Sequence, residues 1–133
     1  EYTFNSTSTN INYFHNDIKS EKAIFLLPGG WSSWRAWSDY LQNTDHSKQY
    51  SIYAIDPPGR GKSGDLDNFS MNNLVQPIVE LIEFMALAVV FAKVWLVAFE
   101  PFAHCPLTPT FKVLLSQSKA KVIIFPAEKP AIN

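Results

Sequence analysis

The chain holds a single cysteine, Cys105, so no intrachain disulfide can brace it and no CxxC pattern offers a metal. It also has little net charge. Eleven Lys and Arg against twelve Asp and Glu leave −1. That balance gives no electrostatic case for nucleic acid or for an anionic membrane surface, and neither is expected as a partner. A long hydrophobic run is missing too. Residues 81–99 are strongly apolar, but Glu83 and Lys93 interrupt them. The uncharged stretch between is far short of the roughly 20 residues that a spanning helix needs. The chain does not open with Met and shows no secretory leader pattern. The expectation is a soluble, processed or trimmed chain, with the cytoplasm favoured. Two glycosylation sequons, Asn5-Ser6-Thr7 and Asn68-Phe69-Ser70, matter only in a secreted protein, and one cysteine does not argue for secretion.

What is present is a core. The 133 residues are 47% hydrophobic and 14% aromatic, too apolar for disorder and of one-domain length. Short apolar runs bounded by charge or by Pro and Gly predict buried strands at 23–27, 50–55, 94–97 and 121–125. Residues 2–4 and 10–15 read as edge strands, the second placing Ile11, Tyr13 and His15 on one face. Between the runs, Ser32 or Ser33 can cap a helix carrying Trp34, Trp37 and Leu41 on one side. A second helix is predicted over 72–85, with Leu74, Ile78, Ile82 and Met85 as its stripe. Pro77 should kink it or mark its true first turn. Strand–helix alternation of this kind predicts an α/β fold: a mainly parallel sheet with helices on both faces.

The segment from 50 to 64, ending Asp56-Pro57-Pro58-Gly59-Arg60-Gly61-Lys62-Ser63-Gly64, runs from a strand into a tight turn. A phosphate-binding loop is one use for such a turn. Gly61-Lys62-Ser63 fits its end, but Asp56 stands where its first Gly belongs, and a carboxylate there repels phosphate. Such a loop must also open straight into a helix, whereas Gly64-Asp65-Leu66-Asp67-Asn68 is turn-rich and acidic. In partial support, residues 94–100 form an apolar strand ending in an acid, as a magnesium-binding strand would. Nucleotide binding through Gly61-Lys62-Ser63 therefore stays open as an alternative.

The other use depends on what lies upstream. An apolar strand precedes Pro28-Gly29-Gly30-Trp31-Ser32-Ser33-Trp34, the Asp56–Gly64 turn follows, and Phe69-Ser70-Met71-Asn72-Asn73-Leu74-Val75 opens the next helix. Three blocks in this order resemble the α/β-hydrolase family, over roughly residues 10–83 and in outline over 94–127. The resemblance implies the N-terminal half of a three-layer α/β-hydrolase sandwich, truncated at the C-terminal side, as one domain over 1–133. It implies a parent activity of hydrolysing an ester or similar bond in a small molecule, with no cofactor and no metal. Gly29, Gly30 and Trp31 match part of the family's oxyanion hole, though Pro28 replaces the usual His. For the two glycines a tight strand-to-helix turn is an equally good use. Asp56, Gly59, Gly61 and Ser63 match the family's structural loop, where Asp56 should accept backbone N–H bonds.

The family's nucleophile sits at a Gly-x-Ser-x-Gly elbow after a central strand. The matching residues here are Ala98-Phe99-Glu100-Pro101-Phe102. Glu100 holds the nucleophile position, both glycines are missing, and Pro101 lacks the N–H that this position gives the oxyanion hole. An Asp elbow is known in epoxide hydrolases and haloalkane dehalogenases, which resemble this pattern, but Glu is one methylene longer. Cys105 is better read as a small buried hydrophobe than as a nucleophile. His104 cannot pair with Glu100 along a regular helix flanked by Pro101 and Pro106. His15 and His46 precede the elbow, the wrong order for the family's base. The expectation is a fragment or degenerate member that is itself inactive, or a non-catalytic binding module on the same scaffold. An open sheet should leave an uncovered edge, which makes self-association an expected partner mode beside a small-molecule ligand.

Overall fold

Six strands and two α-helices stand among the described residues of the computed structural model, which are 1–29, 32–88, 93–99 and 120–125. The strands are β1 (Tyr2–Asn5), β2 (Asn10–His15), β3 (Lys22–Leu27), β4 (Ser51–Ile55), β5 (Lys93–Phe99) and β6 (Ala120–Phe125). They form one sheet in the order β1-β2-β4-β3-β5-β6. β3 lies between β4 and β5, parallel to both, and β6 runs parallel to β5. The four apolar runs are thus adjacent parallel strands. They read as continuous hydrophobic stretches because both faces of such strands are covered.

The sheet as a whole is mixed, not mainly parallel. β1 and β2 form an antiparallel hairpin, and β2 joins β4 antiparallel, with His15 opposite Tyr53. The short turn over 6–9 explains the hairpin: Ser6 N–H donates to the Thr9 carbonyl at 3.0 Å, too short a link for a parallel crossover. β2 is consequently an inner strand, and β1 alone forms that edge.

Both faces carry helices. On one face α2 (Met71–Ala88) packs Val75, Ile78, Val79 and Leu81 against Ile11, Phe25, Tyr53 and Ile55. The buried stripe is rotated from the expected one: Val75 and Val79 replace Leu74, while Ile82 and Met85 lie at its margin. Pro77 is buried in the second turn of α2, beyond the first-turn position that suits proline best. On the other face a 3-10 turn (Trp34–Trp37) leads into α1 (Ser38–Asn43). Ser33 caps that turn, accepting from the Arg35 N–H. Trp37 is buried there with Ile24, Leu26, Ile52 and Ala54, and Trp34, Tyr40 and Leu41 pack around it. Among the described residues no helix is long and apolar enough to cross a membrane.

Candidate functional site

The carboxyl end of β4 delivers Asp56 into a fully buried position. A buried carboxylate must be hydrogen-bonded or it destabilises the fold. Asp56 accepts three N–H donors. Oδ1 takes the Trp34 backbone N–H at 2.7 Å, and Oδ2 takes the Lys62 backbone N–H and the Asn12 Nδ2, each at 2.9 Å. Its backbone is held as well: its N–H donates to the Asn12 carbonyl at 3.0 Å, and its carbonyl accepts the Ser63 hydroxyl at 2.6 Å. Ser63 Oγ in turn accepts the Asn12 N–H at 2.9 Å. One carboxylate therefore ties together β2, the start of the 3-10 turn and the 57–64 loop.

The loop's glycines follow from this geometry. Gly61 has φ +52°, and a Cβ there would lie well inside contact distance of the Asp56 carboxylate. Gly59 has φ +75° and faces the Phe69 ring. Of the expected oxyanion-hole residues, Gly29 lies at the same end, accepting the Ser32 N–H at 3.1 Å. Gly30 and Trp31 lie outside the described residues, as do Glu100, Pro101, Phe102, His104 and Cys105. β5, described over Lys93–Phe99, is flanked on both sides by strands, and Glu100 follows it in the sequence.

Five backbone donors of the 57–64 loop have protein acceptors. Lys62 donates to Asp56, Gly59 to Gly64, Arg60 to Pro57, Ser63 to Arg60 and Gly64 to Asn10. No helix follows until Met71. Among the described residues no three His, Cys, Asp or Glu side chains gather as metal ligands.

Two contributors were not expected from sequence. Asn12 sits mid-strand in an alternating run and looks like an outward polar residue, yet it is only 4% exposed. Its one signal is chemical, since Asn is disfavoured inside strands. Glu1 is the other. Its carboxylate accepts Asn12 Nδ2 at 2.8 Å and Arg35 NH2 at 2.9 Å, with Lys62 Nζ 3.5 Å away. The Asn12 bond is the main reason its carboxyl is held down to about 2, with the Trp34 indole, Lys62 and Arg35 adding to the effect and partial desolvation opposing it.

A second concavity, of about 410 Å³, lies on the α2 face toward the opposite end of β4, lined by Tyr2, Tyr13, His15, Tyr53 and Met85. The His15 ring stacks on Tyr53 with centroids 4.4 Å apart, and its buried Nε2 has no hydrogen-bond partner. Burial lowers its affinity for a proton, and Asp17, 3.7 Å from Nδ1, offsets this in part. The unfolded chain therefore takes up this proton at a higher pH than the folded one. The stability from neutral His15 is present above the free-histidine range near 6.5 and lost as pH falls through the lowered folded value. Urea unfolding at pH 7.5 and 5.0 should show a smaller loss for His15→Phe, which keeps the stack, than for the unmodified protein. Identical losses would refute this assignment.

The strand order and the placement of helices on both faces are those of the α/β-hydrolase fold, and solved structures bear this out. An epoxide hydrolase from Vigna radiata superposes with TM-score 0.73 at 17% identity, over 92% of this chain and 36% of its own. An α/β hydrolase enzyme from a Medee basin deep-sea metagenome library gives TM-score 0.67 at 20% identity, over 92% and 43%. A marine microorganism esterase gives 0.61 at 16%, over 86% and 40%. The chain thus spans less than half the length of these enzymes. No family model and no curated protein matches it.

Proposed function

We propose that this chain is an α/β-hydrolase-type module that does not hydrolyse esters by itself. The supporting observation is the end of β5. β5 is described over Lys93–Phe99, and in the sequence the position where the fold carries its nucleophile falls on Glu100, followed by Pro101. Ala98 and Phe102 stand at the elbow's two glycine positions, and Phe102 is a bulky flank for a turn that needs close backbone approach. Proline at 101 removes an oxyanion donor, a loss of about 3 kcal/mol in transition-state stabilisation. These defects fall on one catalytic unit, so repairing one restores little. The parent chemistry is hydrolysis of an ester or similar bond in a small molecule, as in the enzymes that share the fold. Nucleotide binding has less support, because the 57–64 loop gives the N–H groups of Gly59, Arg60, Lys62, Ser63 and Gly64 to protein acceptors.

Purified protein should show no turnover of a short-chain chromogenic ester above background, and Glu100→Ser should not create any. ATP and GTP should give no heat of binding by titration calorimetry. Steady hydrolysis that disappears in Glu100→Ala would overturn the proposal and make Glu100 a working nucleophile. Micromolar nucleotide affinity, lost in Lys62→Ala, would put the phosphate-loop alternative in its place.

A further inference from the structure

The surroundings of Glu1 have the form of a receptor. The floor is Asn12, 4% exposed, and one of its Nδ2 hydrogens is committed to Asp56 Oδ2 at 2.9 Å. That contact also fixes the amide's orientation, since turning Oδ1 toward the Asp56 carboxylate would set two acceptors against each other. The second Nδ2 hydrogen therefore faces the rim of the sheet and needs an acceptor there. Glu1 Oε2 supplies it at 2.8 Å. Opposite, Glu1 Oε1 takes the Arg35 guanidinium at 2.9 Å and has Lys62 Nζ 3.5 Å away. The Arg35 guanidinium lies over the Trp34 ring, 4.9 Å from its centroid, which holds it in place. The Trp34 indole N–H beside it is buried and has no hydrogen-bond partner among the described residues. The Glu1 side chain, 24% exposed, is more enclosed than Arg35 at 51% or Lys62 at 65%.

We propose that Asn12, Arg35, Lys62 and Trp34 form a binding site for the carboxylate of a small organic acid, and that the Glu1 side chain occupies it as an internal competitor. Three donor groups, from Asn12, Arg35 and Lys62, converge on the occupant's carboxylate. Two separate oxygens are engaged from opposite sides, one by the Asn12 amide and one by the guanidinium, which suits a planar carboxylate. The location agrees with the general habit of open α/β sheets, which hold ligands outside the carboxyl ends of their strands. The site does not depend on hydrolysis and stands whether or not Glu100 is a nucleophile. A tethered side chain competes as if at millimolar concentration or above, so the site becomes available to a free acid only when Glu1 is displaced or neutralised.

The test uses the full chain with nitrogen-15 label and sodium acetate as the probe, at constant ionic strength with chloride as the balancing anion. In Glu1→Gln the Asn12 side-chain amide, the Arg35 Nε–H and the Trp34 indole N–H should shift together and saturate. The apparent affinity for acetate should be at least tenfold tighter than in the unmodified protein. Adding Arg35→Met, a change at an exposed side chain, should weaken that binding at least tenfold while leaving the spectrum folded. Linear shifts in Glu1→Gln matching those from chloride alone would overturn the site. Phosphate binding more tightly than acetate would overturn the assignment to carboxylates. Equal acetate affinity with and without Glu1 would overturn its role as competitor.

Discussion

Gly61→Ala should destabilise the protein by at least about 3 kcal/mol, more than Gly59→Ala. Two effects combine. At φ +52° an L-residue pays about 1 kcal/mol or more in backbone conformation. The new Cβ would also fall on the Asp56 carboxylate, which is buried and bonded to three N–H groups. Moving that carboxylate breaks bonds at a fully buried position, and each buried polar group left unmatched costs about 1–3 kcal/mol. Gly59→Ala is the control. Its Cβ would meet the Phe69 ring at 2.7 Å, but Phe69 is 47% exposed and can swing away. There only the backbone cost of about 1–2 kcal/mol should remain. Urea midpoints of both variants decide the matter. Equal losses would show that the Asp56 contact is not what makes Gly61 necessary. A second check is coupling: in an Asp56→Ala background the Gly61→Ala cost should shrink toward the Gly59→Ala value.

Phe25→Ala should cost about 3–5 kcal/mol, enough to threaten a domain of ordinary stability. Phe25 is fully buried in β3, with a neighbouring strand on each side and Tyr53 stacked on it at 4.8 Å between centroids. Parallel strands covered on both faces cannot collapse into the cavity that the lost ring leaves. Phe84→Ala removes the same atoms from a ring that is 53% exposed and meets only Phe4 among the described aromatic partners. It should cost under about 1 kcal/mol. Thermal or urea denaturation of the two variants should differ several-fold, and similar losses would mean that β3 is not the core of the sheet.

The strands were legible in the sequence wherever burial was two-sided, because a run such as Ala23-Ile24-Phe25-Leu26-Leu27 has no other stable use in a small domain. The antiparallel β1–β2 hairpin was legible as two strands but not as a change in the character of the sheet. Direction is set by the tight 6–9 turn, which no apolar pattern encodes. The α2 stripe was misplaced by one position because Leu74 and Val75 are both apolar, and only packing against Ile11 and Ile55 chooses between them. Asp56 as the organiser of its loop was readable from its place between a strand and two prolines. Asn12 was not. It takes on meaning only once β2 lies beside β4, and strand pairing is a long-range event.

β2 and β3 are neighbours along the chain and strangers in the sheet, with β4 inserted between them. During synthesis this order imposes a wait. When β3 has left the ribosome, the hairpin of β1 and β2 can pair, but the strand that joins it to β3 is still to come. Until then Ala23-Ile24-Phe25-Leu26-Leu27 is an uncharged, proline-free segment with two free edges, the kind that stacks with copies of itself. Prompt arrival of β4 is expected to favour the native sheet over such stacking.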